Sequence, residues 1–258
     1  SQGELENIDL PELKGRRKND EVYSLYRGFS SMVEGLKEKE RVRGVLNKVV
    51  APEIAKEILS HELHLGGEER EATILFADIR HFTKTTEKMP PQEVIAILNE
   101  CMTIASQVID EEGGVIDKFV GDEVMALFGI PTLKEDSPFH AVGCGWKILE
   151  AIKQWNEKRR GEGKIEIEMG VGIHKGVVVA GNMGAENRLN YTVVGSNVNL
   201  AARLCGDAGP MQLLISEAVY EDASVKEKVE CDSLQAHELK GFSTGIPAYS
   251  VKSVKGLS

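Results

Sequence analysis

The stretch FADIRHFT (76–83), followed about forty residues later by DKFVGDEVMALFG (117–129), decides how this chain is read. The residues ATILFA (72–77) form a continuous apolar run, which predicts a buried strand, and Asp78 falls where that strand ends. Its carboxylate is therefore expected at a rim. VIDKFV (115–120) and EVMALF (123–128) are two further strand-like runs separated only by Gly121 and Asp122, a tight hairpin signal that presents Asp122 at a turn. If that hairpin lies beside the first strand, the two acids face each other across one strand spacing. They could then share oxygen-seeking cations such as magnesium, and would tolerate the proximity poorly without them. Taken alone, each Asp reads as a turn former or helix cap. The company changes that reading: a helix opens after Asp78, so the backbone N–H groups near Phe82 and Thr83 can receive a phosphate.

Two more segments extend the pattern, MGVGIHKGVVVAGNMG (169–184) and YTVVGSNVNLAARL (191–204). With them the chain resembles the class III nucleotidyl cyclases, from about Ala72 to Val251, and looks most like a bacterial adenylate cyclase domain. The resemblance implies a homodimer that converts ATP to cyclic AMP and pyrophosphate. It also implies two magnesium or manganese ions held by Asp78, Asp122 and the backbone carbonyl of Ile79. Lys118 and Thr192 occupy the positions where adenylate cyclases of this family read the purine, and where guanylate cyclases typically carry Glu and Cys. Asn199 and Arg203 stand four apart, which puts both on one helical face. The family makes Asn199 a ribose orienter and Arg203 the cation that stabilises charge developing on the phosphate. Lys240 in ELKGF (238–242) is a weaker carry-over to the triphosphate.

Three departures from the family pattern are visible. Gly170 stands where some relatives have an Arg, and Ser196 where many bacterial relatives have Asp. Thr192, where other subclasses have Asp, resembles the subclass that includes bicarbonate-responsive cyclases, which implies bicarbonate as an effector.

The formal net charge of −10 argues against broad nucleic-acid binding, because no basic stripe exists to meet phosphates. Cys101, Cys144, Cys205 and Cys231 are scattered without metal spacing, which suits a reducing compartment. His61 and His64 lack a further ligand nearby in sequence and read as linker residues. No run is apolar enough to span a bilayer, and the start carries no secretory pattern. Near that start, Val22, Leu25, Phe29, Met32 and Leu36 follow the seam spacing of a coiled coil. The seam lapses at Lys39 and Arg43, and apolar residues return at Leu46 and Val50. The region from about Ile8 to Leu36 resembles the second half of a HAMP module, the helical relay found beside membranes in receptors; a plain dimerising helix is the competing reading. The expected setting is the cytoplasmic portion of a receptor anchored in the inner membrane upstream of residue 1.

The expected organisation is a partial HAMP-like segment over 1–37, a helical linker over 38–70 with Pro52 opening a second helical stretch, a catalytic domain over 71–253 and a tail over 254–258. Gly66 and Gly67 read as a break before the first catalytic strand. Helices are expected at 91–111, 137–159 and 196–205, and strands at 166–181, 189–194 and 212–215. This order gives an α/β sandwich of the α+β type, which the resemblance narrows to a ferredoxin-like cyclase core. Two other functions compete with cyclic AMP synthesis. A diguanylate cyclase shares a related core, but GDEV (121–124) matches its signature loop only in part and YTVVGSNVNLAAR (191–203) is foreign to it. A catalytically silent nucleotide-binding or dimer-relay module would have no need of Asp78, Asp122, Lys118, Thr192, Asn199 and Arg203 together.

Overall fold

In the computed structural model, the described residues are 21–49, 54–55, 66–132, 135–185, 188–237 and 246–257. Lys240, His61, His64, Pro52 and the part of the HAMP-like segment before Glu21 lie outside them. The chain divides into two compact units, Ser1–Ala55 and Lys56–Ser258. In the first, helix α1 (Glu21–Val49) runs unbroken through the point where the seam lapses at Lys39 and Arg43. Its seam residues Leu25, Phe29, Met32 and Leu36 are all exposed, Leu25 at 75%. Among the described residues, no helix is long and apolar enough to cross a membrane.

The second unit is built on β1 (Gly66–Ile79), which pairs antiparallel with β4 (Met169–Ala185) along its whole length. On its other side β1 pairs with β3 (Glu123–Phe128), and β3 pairs with β2 (Val115–Val120). Helices α2 (Phe82–Thr86) and α3 (Pro91–Glu111) connect β1 to β2, and α4 (Ser137–Gly161) connects β3 to β4. This β-α-β-β-α-β sequence with strand order β2-β3-β1-β4 is the ferredoxin-like arrangement. The sheet then continues through β6 (Gln212–Ser216), parallel to β4, to β8 (Ile246–Val254) and β7 (Val229–His237). A further strand, β5 (Arg188–Val194), pairs with the far half of β4 and leads into α5 (Ser196–Asp207). A one-turn helix, α6 (Glu217–Tyr220), follows β6.

The apolar run in β1 is continuous because both of its faces are buried. Leu75, Ala77 and Ile79 point into a core shared with α3 and α4, where Ile109, Ile148, Ile152 and Ile173 are sealed from solvent. Ile74 and Phe76 point the other way, into a second core with Met125, Leu127, Val178, Val193 and the α5 residues Ala201 and Cys205. Helix α5 thus packs on one face of β1 while α3 and α4 cover the core on the other.

Three expectations are corrected. Gly66 and Gly67 do not precede the strand; they begin it, paired with Asn182 and Gly181, so residues 66–70 belong to the sheet and not to a helical linker. The strands β7 and β8 were not anticipated, since each mixes polar and apolar residues irregularly, and register shifts interrupt their pairing. The predicted helix 137–159 extends to Gly161. The hairpin at Gly121 and Asp122 forms as expected: Gly121 has φ 63°, a left-handed value that a β-branched residue would adopt only under strain.

Ile173 lies wholly buried in the first half of β4, paired with β1 on one side and β6 on the other. Ile173→Ala should therefore destabilise the second unit by about 2–5 kcal/mol, read as a lowered urea midpoint. A shift below about 0.5 kcal/mol, the range of surface substitutions, would contradict this packing.

Candidate active site

Asp78 is the penultimate residue of β1, and its register partner on β3 is Glu123, immediately after the hairpin turn. Asp122 therefore sits beside Asp78, close enough that its charge acts on the Asp78 carboxyl. The turn is fastened by the Ile79 N–H, which donates to the Asp122 carbonyl at 3.3 Å. Ile79 itself turns its side chain into the core, leaving only its backbone available at the rim. Burial, partly offset by the Arg80 guanidinium and reinforced by Asp122, pushes the Asp78 carboxyl up to about 6. Burial and the neighbouring charges of Asp78 and Asp122 push Glu123 up to about 7. Three acids thus crowd one end of the β1–β3 ladder, where oxygen donors and excess negative charge suit a hard divalent cation. Among the described residues, no group of three or more His, Cys, Asp or Glu side chains is placed to hold a metal ion by itself. The remaining ligands for an ion on Asp78 and Asp122 would have to be the Ile79 carbonyl, water and phosphate oxygens.

Arg80, which the sequence reading passed over, ties this rim to α5. It pairs with Asp78, and its guanidinium also donates to the carbonyls of Cys205 at 3.1 Å, Ala208 at 3.2 Å and Gly206 at 3.4 Å, clustered where α5 ends. Gly170, the register partner of Asp78, makes room for it: a Cβ there would lie 2.9 Å from the Arg80 Nε and 3.1 Å from the Ala208 carbonyl. The other end of α5 is held by Asn197, whose amide donates to the Val177 carbonyl at 2.7 Å and whose Oδ1 lies 3.0 Å from His174 Nε2. With the amide so oriented, Nε2 carries the proton and Nδ1 accepts from the Ser216 hydroxyl at 2.7 Å. Burial holds the His174 pKa down, consistent with a neutral ring. Asn199, exposed, and Arg203, half-buried, lie one helical turn apart between these two anchors.

Lys118 on β2 and Thr192 on β5 are distant in sequence and meet directly, Lys118 Nζ donating to Thr192 Oγ1 at 3.0 Å. A third residue joins them: the Thr192 hydroxyl donates to Asp117 Oδ2 at 3.0 Å, and Lys118 Nζ lies 3.1 Å from the same oxygen. Ideal alternation would send Asp117 and Lys118 to opposite faces. A β-bulge between Ile116 and Lys118 makes Asp117 the extra residue, so that Lys118 and not Asp117 stands opposite Met125 and both side chains reach Thr192. Burial pushes the Asp117 pKa up, opposed by Lys118 and Thr192.

Phe82 and Thr83 form the first turn of α2, directly after His81, which adopts a left-handed conformation (φ 57°). The structure thus brings Asp78 to Asp122, Lys118 to Thr192, and Asn199 to Arg203. Sequence reasoning missed Arg80, Asp117 and Glu123. All three were inside the quoted motifs, but only the bulge and the contact with α5 reveal what they touch.

Residues 67–253 match the family described as the Adenylate and Guanylate cyclase catalytic domain. An uncharacterized protein of Mycobacterium tuberculosis, MT1361, is 36% identical over 243 residues, covering 92% of this chain and 42% of that protein. The chain thus spans less than half the length of that relative. Among solved structures, the adenylyl cyclase CyaB from P. aeruginosa superposes with a TM-score of 0.71 at 31% identity, covering 75% of this chain and 100% of that one. The guanylyl cyclase Cya2 superposes with a TM-score of 0.68 at 36% identity, covering 74% and 96% respectively.

The raised carboxyl pKa values carry a stability consequence with a definite sign. Ordinary Asp and Glu side chains lose their protons near pH 4 when unfolded, whereas Asp78 and Glu123 hold theirs to about 6 and about 7 in the fold. Through that window the native state binds more protons, so their contribution to stability is full below about pH 4 and is lost as pH rises through the folded values. Glu123→Gln should flatten the decline of Tm between pH 4 and 8. A slope equal to that of the unaltered chain would show that Glu123 titrates normally.

Proposed function

The chain belongs to the family of adenylate and guanylate cyclase catalytic domains, and on that premise we propose that it is an adenylate cyclase, converting ATP to 3',5'-cyclic AMP and pyrophosphate. The observation that carries this reading is the contact between Lys118 and Thr192. An ammonium can only donate, and suits the unprotonated N1 of adenine; the Thr192 hydroxyl, if it accepts, suits the exocyclic amine. Guanine presents the opposite pattern, a donor at N1 and an acceptor at O6. The 36% identity with the guanylyl cyclase Cya2 makes GTP the rival substrate, and the same assay decides between them.

In the proposed reaction the ribose 3'-hydroxyl loses its proton and attacks the α-phosphorus. The new 3'-O–P bond forms as the bond to the β-phosphate oxygen breaks, and pyrophosphate leaves. Asp78, Asp122 and the Ile79 carbonyl would hold two magnesium or manganese ions. When bound, these would lower the pKa of the 3'-hydroxyl and neutralise the leaving group. The backbone N–H groups of Phe82 and Thr83 would orient the phosphates, with Lys240 as a further contact. Asn199 would hold the ribose and Arg203 would stabilise charge developing on the transferred phosphate.

We further propose a homodimer in which Asp78 and Asp122 come from one subunit and Lys118, Thr192, Asn199 and Arg203 from its partner. Support comes from the apolar side chains exposed around the purine pair, Phe119 and Val120 beside Lys118, and Val194 and Val177 on the β5 and β4 side. The exposed seam of α1 fits a parallel helical pair of the HAMP type, and the greater length of MT1361 fits a receptor whose remaining parts include the membrane anchor. Bicarbonate as an effector rests on Thr192 alone.

Purified protein given ATP or GTP with manganese should yield cyclic AMP in excess of cyclic GMP, identified by mass. Asp78→Ala and Asp122→Ala should each abolish the product while leaving the fold intact by circular dichroism. Cyclic GMP as the main product would replace this reading with a guanylate cyclase, and no product from either nucleotide would favour a silent module.

Subunit sharing has its own test. Asp78→Ala and Arg203→Ala chains should each be inactive alone, and mixing them should restore up to about a quarter of normal activity, since half the dimers are mixed and each has one intact site. Failure of recovery, with subunit exchange verified by fluorescence transfer, would place each site within one chain.

A further inference from the structure

We propose that Asp117 is a specificity-determining residue: by accepting the Thr192 hydroxyl proton, it fixes that hydroxyl as an acceptor toward the nucleotide and so selects a purine with an amino group at position 6. The inference rests on the base-reading role given to Lys118 and Thr192 and deepens it. A threonine hydroxyl has one proton and two lone pairs, and left alone it serves an amine or a carbonyl equally well by rotating. A purine reader built from Lys118 and a freely rotating Thr192 would discriminate only through the lysine.

The three-residue network removes that freedom. Lys118 Nζ, 3.0 Å from Thr192 Oγ1, has no lone pair and can only donate to it. Asp117 Oδ2, also 3.0 Å from Oγ1, can only accept while ionised. The hydroxyl proton therefore has one partner, and one lone pair remains for the nucleotide. A 6-amino group completes the network by donating to it, whereas a 6-carbonyl oxygen meets the Thr192 oxygen with no proton between them. Lys118 is held as well: its contact with Asp117 at 3.1 Å, added to that with Thr192, occupies two of its three protons and leaves one for the ring nitrogen.

Asp117 is suited to a supporting position and not to touching the base. Its side chain is 2% exposed, against 45% for Lys118, so it acts through its neighbours. The bulge between Ile116 and Lys118 is what allows this, since regular pairing would put Asp117 opposite Met125 and direct the two side chains apart. A buried carboxylate at such a bulge is costly to hold, and the two hydrogen-bonding neighbours it serves are the pair assigned to the base.

The test compares kcat/KM for ATP with that for inosine triphosphate, which carries the 6-carbonyl of guanine without its 2-amino group. Asp117→Asn supplies an amide that can donate to Thr192 Oγ1, freeing the hydroxyl proton for a carbonyl. The ATP to inosine triphosphate ratio should fall by roughly tenfold, the scale of one mispaired hydrogen bond. In a Thr192→Val background the same change should leave the ratio where Thr192→Val has already put it, because Asp117 acts through the hydroxyl. A merely structural role would lower both nucleotides together and leave the ratio alone. An unchanged ratio in Asp117→Asn, with Thr192→Val shifting it, overturns the role of Asp117 and leaves the base-reading pair standing. An unchanged ratio in Thr192→Val overturns both. If Asp117→Asn fails to fold, Thr192→Ser decides instead: it keeps the hydroxyl and Asp117 together and should retain the ratio, and a ratio as low as that of Thr192→Val would overturn the proposal.

Discussion

The antiparallel pairing of β1 with β4, unbroken from Gly66 to Ile79, is the constraint on which the rest of the catalytic unit depends. It gives β1 two buried faces, so the strand is fixed by both cores at once and its end cannot drift. Asp78 inherits that rigidity at one end of the ladder. At the other end the far half of β4 carries β5, whose Thr192 stands opposite Gly181, which in turn stands opposite Gly67. The acidic rim and the Lys118–Thr192 pair are thus both referenced to one ribbon.

That ribbon was legible only in part. ATILFA (72–77) announces a strand buried on both faces, but the five residues Gly66 to Arg70 are glycine-rich and charged, and nothing in their own pattern says strand. They are held by β4, a partner about one hundred residues away, which is the kind of tertiary influence that local propensity cannot register. The β2 and β3 limits, by contrast, follow from two apolar runs around a glycine turn and agree with the structure residue for residue. The limits of α3 do so as well, with Pro91 at its start. β7 and β8 stayed hidden because their pairing shifts register twice and their alternation is therefore broken.

The site was legible to the same degree and for a related reason. The resemblance to the cyclases pointed to Asp78, Asp122, Lys118, Thr192, Asn199 and Arg203, since a motif records which side chains occur near which turns. What a motif does not record is a change of face. Asp117 precedes Lys118 and ought to point away from it, and only the bulge reverses that. Glu123 follows Asp122 and reads as an ordinary strand residue until its register with Asp78 makes it the third acid of the rim.

Arg80 exposes a connection between the two halves of the chemistry that neither motif contains. Its guanidinium is shared between Asp78 and the carbonyls at the end of α5, so the helix that presents Asn199 and Arg203 is referenced to a carboxylate proposed to bind metal. A cation arriving at Asp78 competes with Arg80 for the same oxygens, and any release of Arg80 weakens one of the two anchors of α5. The other anchor, Asn197 on the buried pair His174 and Ser216, does not take part in that competition. α5 would then pivot about its first turn, and the residue displaced more would be Arg203, which lies nearer the end held by Arg80, with Asn199 moving less. In the proposed dimer that Arg203 would serve the partner's phosphate site, so the Arg80 guanidinium would link the two sites. The absence of a side chain at Gly170 is what gives the Arg80 guanidinium its place, since a Cβ there would lie 2.9 Å from its Nε.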